Sequence, residues 1–423
     1  MIFSLIKTEM KFIILLLLLT VYSSIPAQTN NNGIVGETNW MSGWTNFKPK
    51  NKEYKETTVI LKEDIITNTT LYKNNVYLIV GTVHVANNST LTIEAGTVLR
   101  GDFETTGTLT VTNGSKIIAI GNAVDPIIFT SNKPISERKP GDWGGLILMG
   151  DAPINRPGGK TTSFYESNPK YSTFGGENTN GDSGILKYVR IEFAGKKISP
   201  KISLNGLTLA GVGNQTKINH VQVSFSADDS FEVVGGNVDF NNLISFRASD
   251  DDYDYSMGVQ SVLSNSIAIR NPYTSDNTRS RCLEIDSYDI PENCDFTKNK
   301  TTITINNTLL YNDEEDNLGL VKEAISLKYD SFLTINNSLV VGFSSFIATD
   351  DKYLIKDNFK KIKITNTRIE SCKNVFTNEA LIPNNLANDW FTKTNVSVFV
   401  TNSGIDNLFM NNNIKRNPDF RLK

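Results

Sequence analysis

The tightest constraint on this chain is a short unit that returns with asparagine at one fixed place. It reads "NHVQVSF" at 219–225, "NNLISFR" at 241–247, "NSIAIRN" at 265–271, "NNTLLYN" at 306–312, "NNSLVVG" at 336–342 and "TNTRIES" at 365–371. With Asn219, Asn241, Asn265, Asn307, Asn337 and Asn366 as the register, the steps are 22, 24, 42, 30 and 29 residues. "KYVRIEFAG" at 187–195 is a related unit. Nearer the N-terminus, "STLTIEAGTVLRGD" (89–102) superposes on "GTLTVTNGSKIIAIGN" (107–122) at an offset of 18, strand on strand and Gly96 on Gly114.

Each copy is a short alternating run of β-branched residues, the pattern of a strand. The segments between copies are unequal, polar and rich in Gly, Asn and Asp, the pattern of loops. No stretch after residue 30 carries a long amphipathic helix. A chain that grows by stacking such units is not bound by the length rule that would divide it into two or three domains. The reading is all-β: a right-handed parallel β-helix over 57–423, with coils about 4.8 Å apart, long loops on one side and stacked Asn side chains at a turn. A β-sandwich would account for the short strands but not for the recurring Asn. Residues 28–56 have no period and read as linker and N-terminal cap, because an open β-helix end needs cover.

Residues 1–27 read as a signal peptide. Lys7 and Lys11 precede "FIILLLLLTV", and small residues lead to a cut after Ala27. The apolar run is half the roughly 20 residues that a membrane span needs. The expectation is an exported protein (outer surface, secreted or periplasmic), monomeric, with no transmembrane segment in the mature chain. The formal charge of −3 argues against a nucleic-acid partner. Cys282, Cys294 and Cys372 allow one bridge between the first two or three free thiols. The two histidines, His84 and His220, have no zinc-ligand spacing.

Carboxylates crowd where the units repeat. "SADDSFE" carries Asp228, Asp229 and Glu232; "ASDDDYDY" carries Asp250, Asp251, Asp252 and Asp254. Asp228 and Asp250 stand at the same distance from Asn219 and Asn241, so Asp228 should lie over Asp250 and Asp229 over Asp251 on adjacent coils. Asp276 and the run Asp313, Glu314, Glu315, Asp316 extend the acidic edge, and Lys196 and Lys197 close it at the preceding coil. Like charges about 5 Å apart need a cation between them, a shared proton, or solvent with backbone donors. The first gives a calcium site at Asp228, Asp229, Glu232, Asp250, Asp251, Asp252 and Asp254. The second gives an acid–base pair drawn from Asp228 or Asp229 with Asp250 or Asp251, whereas a calcium-assisted lyase would take Arg247, Lys196 or Lys197 as its base. Tyr253 and Tyr255, interleaved with aspartates, read as surface rings for a ligand, whereas Phe225, Phe231 and Phe246 read as coil interior.

The runs "GDWGGLILMGDAPIN" (141–155), "NGLTLAGVG", "VQVSFSADDSFE" and "DDDYD" resemble exported β-helical proteins of Bacteroidetes-type bacteria, found as surface or secretion-system cargo, whose activity is not established. The resemblance spans about residues 85–345. It implies a parallel β-helix of the pectin-lyase type and export, and it carries no catalytic residues. In place of the "FES"-like segment of such proteins stands "LEIDSYD", with Glu284 and Asp286 as ligand-binding candidates. Together these features point to an envelope or secreted protein that binds calcium and displays loops to glycan or matrix. The alternative is a polysaccharide lyase or glycoside hydrolase working at the same acidic corner.

Overall fold

Alternation sends every second side chain inward, and the strands stack in parallel on three faces of a coil. The computed structural model describes residues 32–423 except 164, 167, 277–278, 314–318, 329, 351–357, 379–397 and 402–406. The expected signal peptide and Glu314, Glu315 and Asp316 lie outside the described residues. The first face runs from Thr82–Val85 through Gly145–Met149, Leu207–Val212, Phe231–Gly236, Tyr253–Ser256 and Leu283–Ile285 to Asn374–Asn378. The second and third faces are joined in one sheet, and between residues 184 and 246 single strands bend across both. All pairings between coils are parallel among the described strands, which is the expected β-helix. Among the described residues no helix is long and apolar enough to cross a membrane.

The Asn turn has a backbone cause. Asn242, Asn265, Asn307, Asn337 and Asn366 have φ of 57°, 48°, 49°, 49° and 42°, the left-handed region that Asn tolerates best among residues with a side chain. They make the bend from the second face to the third. The expected register is one residue early in its first two copies. Asn241 pairs with Ser264, so the bend falls at Asn242, and at His220 one coil before. The Asn366 amide donates to Asn337 Oδ1 at 2.7 Å, the stacked bond expected of the column. Replacing Asn337 with Ala should cost about 1–2 kcal/mol, since Ala gains nothing in the left-handed region. Asn337→Gly should cost less despite losing the same bond. Urea denaturation of the two variants separates the backbone effect from the ladder.

The offset of 18 is not a coil. Leu91 pairs with Ile117 and Val83 with Leu109, so residue 91 meets residue 117 one coil on. The similar segments at 89–102 and 107–122 begin on different faces.

Inside the coil is a continuous apolar core, with Leu207, Phe231, Tyr253 and Leu283 in successive layers and Trp143 fully buried. A second apolar cluster lies outside the third face. There Phe246, Ile267, Leu309 and Leu339 are covered by Ile34, Met41, Trp44 and Phe47 from the N-terminus and by Phe409 and Phe420 near the C-terminus. The N-terminal segment runs lengthwise and against chain order. Gly33 N–H bonds Asn337 O (2.8 Å), Asn46 N–H bonds Gln222 Oε1 (2.8 Å), and Arg138 and Arg100 bond the carbonyls of Lys52 (2.7 Å) and Lys55 (3.2 Å). Within 28–56, the described residues therefore strap the side of the solenoid. Cys282, Cys294 and Cys372 are buried free thiols.

Candidate cation and ligand site

On the first face the outward positions form one column: His84, Thr110, Ile147, Thr208, Glu232, Asp254, Glu284 and Ser326, one per coil. Three consecutive members are acidic. At the corner just before this face stand Asp228 and Asp229, one coil above Asp250 and Asp251, as the register of Phe231 on Tyr253 requires.

The corner is a ladder of side chain to backbone. Asp229 N–H donates to Asn205 Oδ1 (3.1 Å), Asp251 N–H to Asp229 Oδ1 (3.0 Å), and Arg281 N–H to Asp251 Oδ1. One oxygen of each aspartate thus holds the next coil, as turn aspartates do. Acidic neighbours crowd both: Asp250 and Asp254 act on Asp229, and Glu284 and Asp250 on Asp251. Asp228, Asp229 and Asp250 can bring one oxygen each within 4.8 Å of one another, and so can Asp229, Glu232 and Asp254. Asp229 belongs to both groups.

Burial is the main force on these groups, and neighbouring negative charge adds to it. Burial, then Asp250 and Glu232, push Asp228 up to about 7. Burial, then Asp250 and Asp254, hold Asp229 well above the usual carboxylate range. Asp254 is likewise raised by burial, then by Glu284 and Glu232. Burial takes Glu232 to about 7 even though it accepts hydrogen bonds from Tyr165 Oη (2.7 Å), Asn205 Nδ2 (2.7 Å) and Thr208 Oγ1 (3.4 Å). Among the described residues no hydrogen-bond donor meets the Asp254 carboxylate.

Tyr165 comes from the long insertion at 150–182, which lies over the first face and roofs a cleft of about 230 Å³. Tyr165, Phe174 and Met257 are among its apolar lining, and Glu232, Asp254, Glu284, Asp286 and Asp289 bring carboxyl groups to it. Lys328 contacts Glu284 Oε1 and lies 3.6 Å from Asp286 Oδ2. Although burial alone would lower its pKa, these two carboxylates raise it. Next to Tyr165 in sequence, Glu166 pins the insertion in the opposite direction. It bonds His84 Nε2 at 2.7 Å, while Asp64 holds His84 Nδ1 at 2.7 Å and the Tyr171 ring packs on the imidazole.

The structure brings together Asp228, Asp229, Asp250, Glu232 and Asp254, and sets Glu284 and Asp286 beside them. Four expectations are corrected. Tyr253 and Tyr255 are fully buried, because alternation puts them on the inner face when Asp254 points out. Tyr253 stacks on Phe231 and donates to Ile267 O (2.9 Å). Asp252 also turns inward, accepting from Ser245 and lying 3.4 Å from the buried Arg270 guanidinium, away from the other carboxylates. Arg247 lies over the Phe246 ring, 5.2 Å from its centroid, and feels the charge of Asp313, not that of the acidic column. Phe225 and Phe246, read as coil interior, belong to the outer cluster under the strap, whereas Phe231 is interior. Tyr165, Asn205, Asp289 and Lys328 went unseen in the sequence: the insertion has no period, and Lys328 meets Glu284 only through strand register.

The profile of the family described as Pectate-lyase like beta helix domain matches residues 63–408. No curated protein matches the chain. Among solved structures the chain is similar to the catalytic domain of a GH87 alpha-1,3-glucanase in complex with tetrasaccharides. The identity is 10% and the TM-score 0.32, over 89% of this chain and 69% of that one.

Proposed function

This chain belongs to the pectate-lyase-like β-helix domain family, and from that premise we propose that it binds a divalent cation, calcium by preference, beside a carbohydrate-binding cleft. The observation that carries the cation is Asp254. It lies between Glu232 and Glu284 on the column, has no donor from the described protein, and shares with Asp229 and Glu232 a space that one ion fits. Oxygens on opposite sides of a calcium ion at roughly 2.4 Å stand about 4.8 Å apart, so one ion can reach all three. The donors are hard carboxylate oxygens, which suit calcium rather than zinc. Asp229 and Glu232 are oriented for it by the bonds from Asp251, Asn205 and Tyr165. Water would complete the six to eight ligands that calcium takes. The expected signal peptide agrees with a role outside the cytoplasm, where a dissociation constant of roughly 10⁻⁴–10⁻³ M is sufficient. The cleft's rings and its acceptor-rich wall support the carbohydrate.

Isothermal titration of calcium and magnesium into the wild type and Asp254→Asn tests the ion. The expected result is calcium binding ahead of magnesium, weakened at least tenfold in Asp254→Asn. Equal heats for the two proteins would remove the ion from this place.

A second reading has its own observation. Glu232, pushed to about 7, holds a proton near neutral pH and could act as an acid, with Asp254 on the next coil as its partner. That is the arrangement of a glycoside hydrolase, and new reducing ends from a polysaccharide would reveal it. Elimination fits less well. It needs a free base, and Lys328 is bound to two carboxylates that hold its proton more tightly.

A further inference from the structure

We infer that the cleft selects uncharged sugar units and rejects uronates. This rests on the carbohydrate reading above and narrows it. Among the described lining residues there are five carboxyl groups and one ammonium, that of Lys328. Lys328 is held by Glu284 and Asp286. The guanidiniums just behind the wall are engaged too: Arg281 with Glu284 at 2.6 Å and Arg156 with Asp289 at 2.6 Å. A sugar carboxylate entering here finds no uncommitted cation among the described lining residues.

A divalent ion does not reverse this. At Asp229, Glu232 and Asp254 its two positive charges would be met by three carboxylates, and Glu284, Asp286 and Asp289 would still line the cavity. Protons on raised carboxyls such as Glu232 and Asp254 remove negative charge there but supply no positive charge. A neutral sugar meets the opposite situation. Its hydroxyls donate in every direction, and ionised carboxylates only accept. Tyr165 and Phe174 line the cleft with apolar ring surface for its C–H groups. The cleft is also smaller than the roughly 300–1,000 Å³ of drug-sized ligand sites, so it takes a short unit, whose charge counts for more than its length.

The test uses the wild-type protein with calcium and two sets of probes of matched length: neutral hexo- and pento-oligosaccharides, and oligogalacturonides. The expected result is a neutral member that binds at least tenfold more tightly than any uronate, with residual uronate binding that strengthens as salt screens the repulsion. Glu284→Gln removes one carboxylate from the wall and one of the two that hold Lys328, and should raise uronate affinity about tenfold. Uronates binding ahead of every neutral probe, and weakening with salt, would overturn the inference while leaving the carbohydrate reading intact. So would a folded Glu284→Gln protein with no gain for uronates. Retention of no sugar by a protein that still binds calcium would end the carbohydrate reading, and this inference with it.

Discussion

In the presence of a chelator the protein should lose stability as the pH rises from about 4.5 to about 7, and calcium should cancel that loss. Glu232 and Asp228 ordinarily titrate at 4.5 and 3.8, and in the folded protein both sit near 7. Between those values the native state holds protons that the unfolded chain has released. By linkage, the stability these groups contribute is full below the unfolded pKa and is lost as pH rises through the folded one. Each tenfold gain in a group's proton affinity on folding is worth about 1.4 kcal/mol. Allowing for the water that reaches the cleft, Glu232 accounts for about 2 kcal/mol, and the acidic neighbours raised with it add to the same trend. A bound cation replaces those protons, so the calcium-induced rise in melting temperature should be larger at pH 8 than at pH 5. His84 acts in the same direction but only above its ordinary 6.5. Its bonds to Glu166 and Asp64 outweigh the burial that would lower its pKa, and its contribution does not respond to calcium. Asp330 is held low by Lys361 and Tyr288 despite its burial, so it acts below pH 4. Thermal melts across pH, with calcium and with chelator, decide the matter. Stability that rises with pH in chelator would mean ordinary ionised aspartates, and the cation site would have no reason to exist.

The second large effect concerns Arg270. Replacing it with Met should destabilise the fold by about 3–5 kcal/mol, the usual result of stranding one member of a buried ion pair. Arg270 and Asp252 are both fully buried, and Arg270 also reaches the carbonyls of Asp250 and Arg281. Without the guanidinium, Asp252 is a buried charge with only hydroxyl and thiol neighbours. Asp252→Asn together with Arg270→Met should recover most of the loss, since the neutral amide can still accept from Ser245. Chemical denaturation of the single and double variants gives the coupling. If the double variant is as unstable as the single, the bonds to the corner carbonyls matter more than the charge. Calcium affinity should then fall as well, because the Asp250 carbonyl belongs to the loop that presents Asp250 and Asp251.

Much of this was legible in the sequence. Equal offsets from Asn219 and Asn241 stacked Asp228 on Asp250 correctly, because the register error of one residue was the same in both copies. The same step of 22 also takes Phe231 to Tyr253 and Glu232 to Asp254. Followed through, it would have sent both tyrosines inward and found the acidic column. Composition overrode parity there: aromatic rings among aspartates resemble a surface, but strand alternation separates them onto opposite faces. Asp252 was lost for a related reason, since it sits at the corner, where alternation fails. The offset of 18 misled because strands on different faces of one coil share the same alphabet. The insertion that carries Tyr165 and the strap that carries Trp44 follow no period, so only the folded chain shows what they cover.

The strap has a consequence for how the chain comes to be folded. A plain solenoid can zip up from any coil, each new coil resting only on the last. Here the first described residues, around Gly33, bond beside Asn337, and Arg421 near the end of the chain reaches the carbonyl of Glu37. The strap must therefore wait for the later coils before it has anywhere to rest. Closing that circuit spans nearly the whole chain, the kind of distant contact that forms slowly. Until it closes, Phe246, Leu309 and Leu339 stay bare. Once it closes, the strap and the last described strands lie together like the halves of a buckle, and the coils they cover cannot peel away without first undoing it.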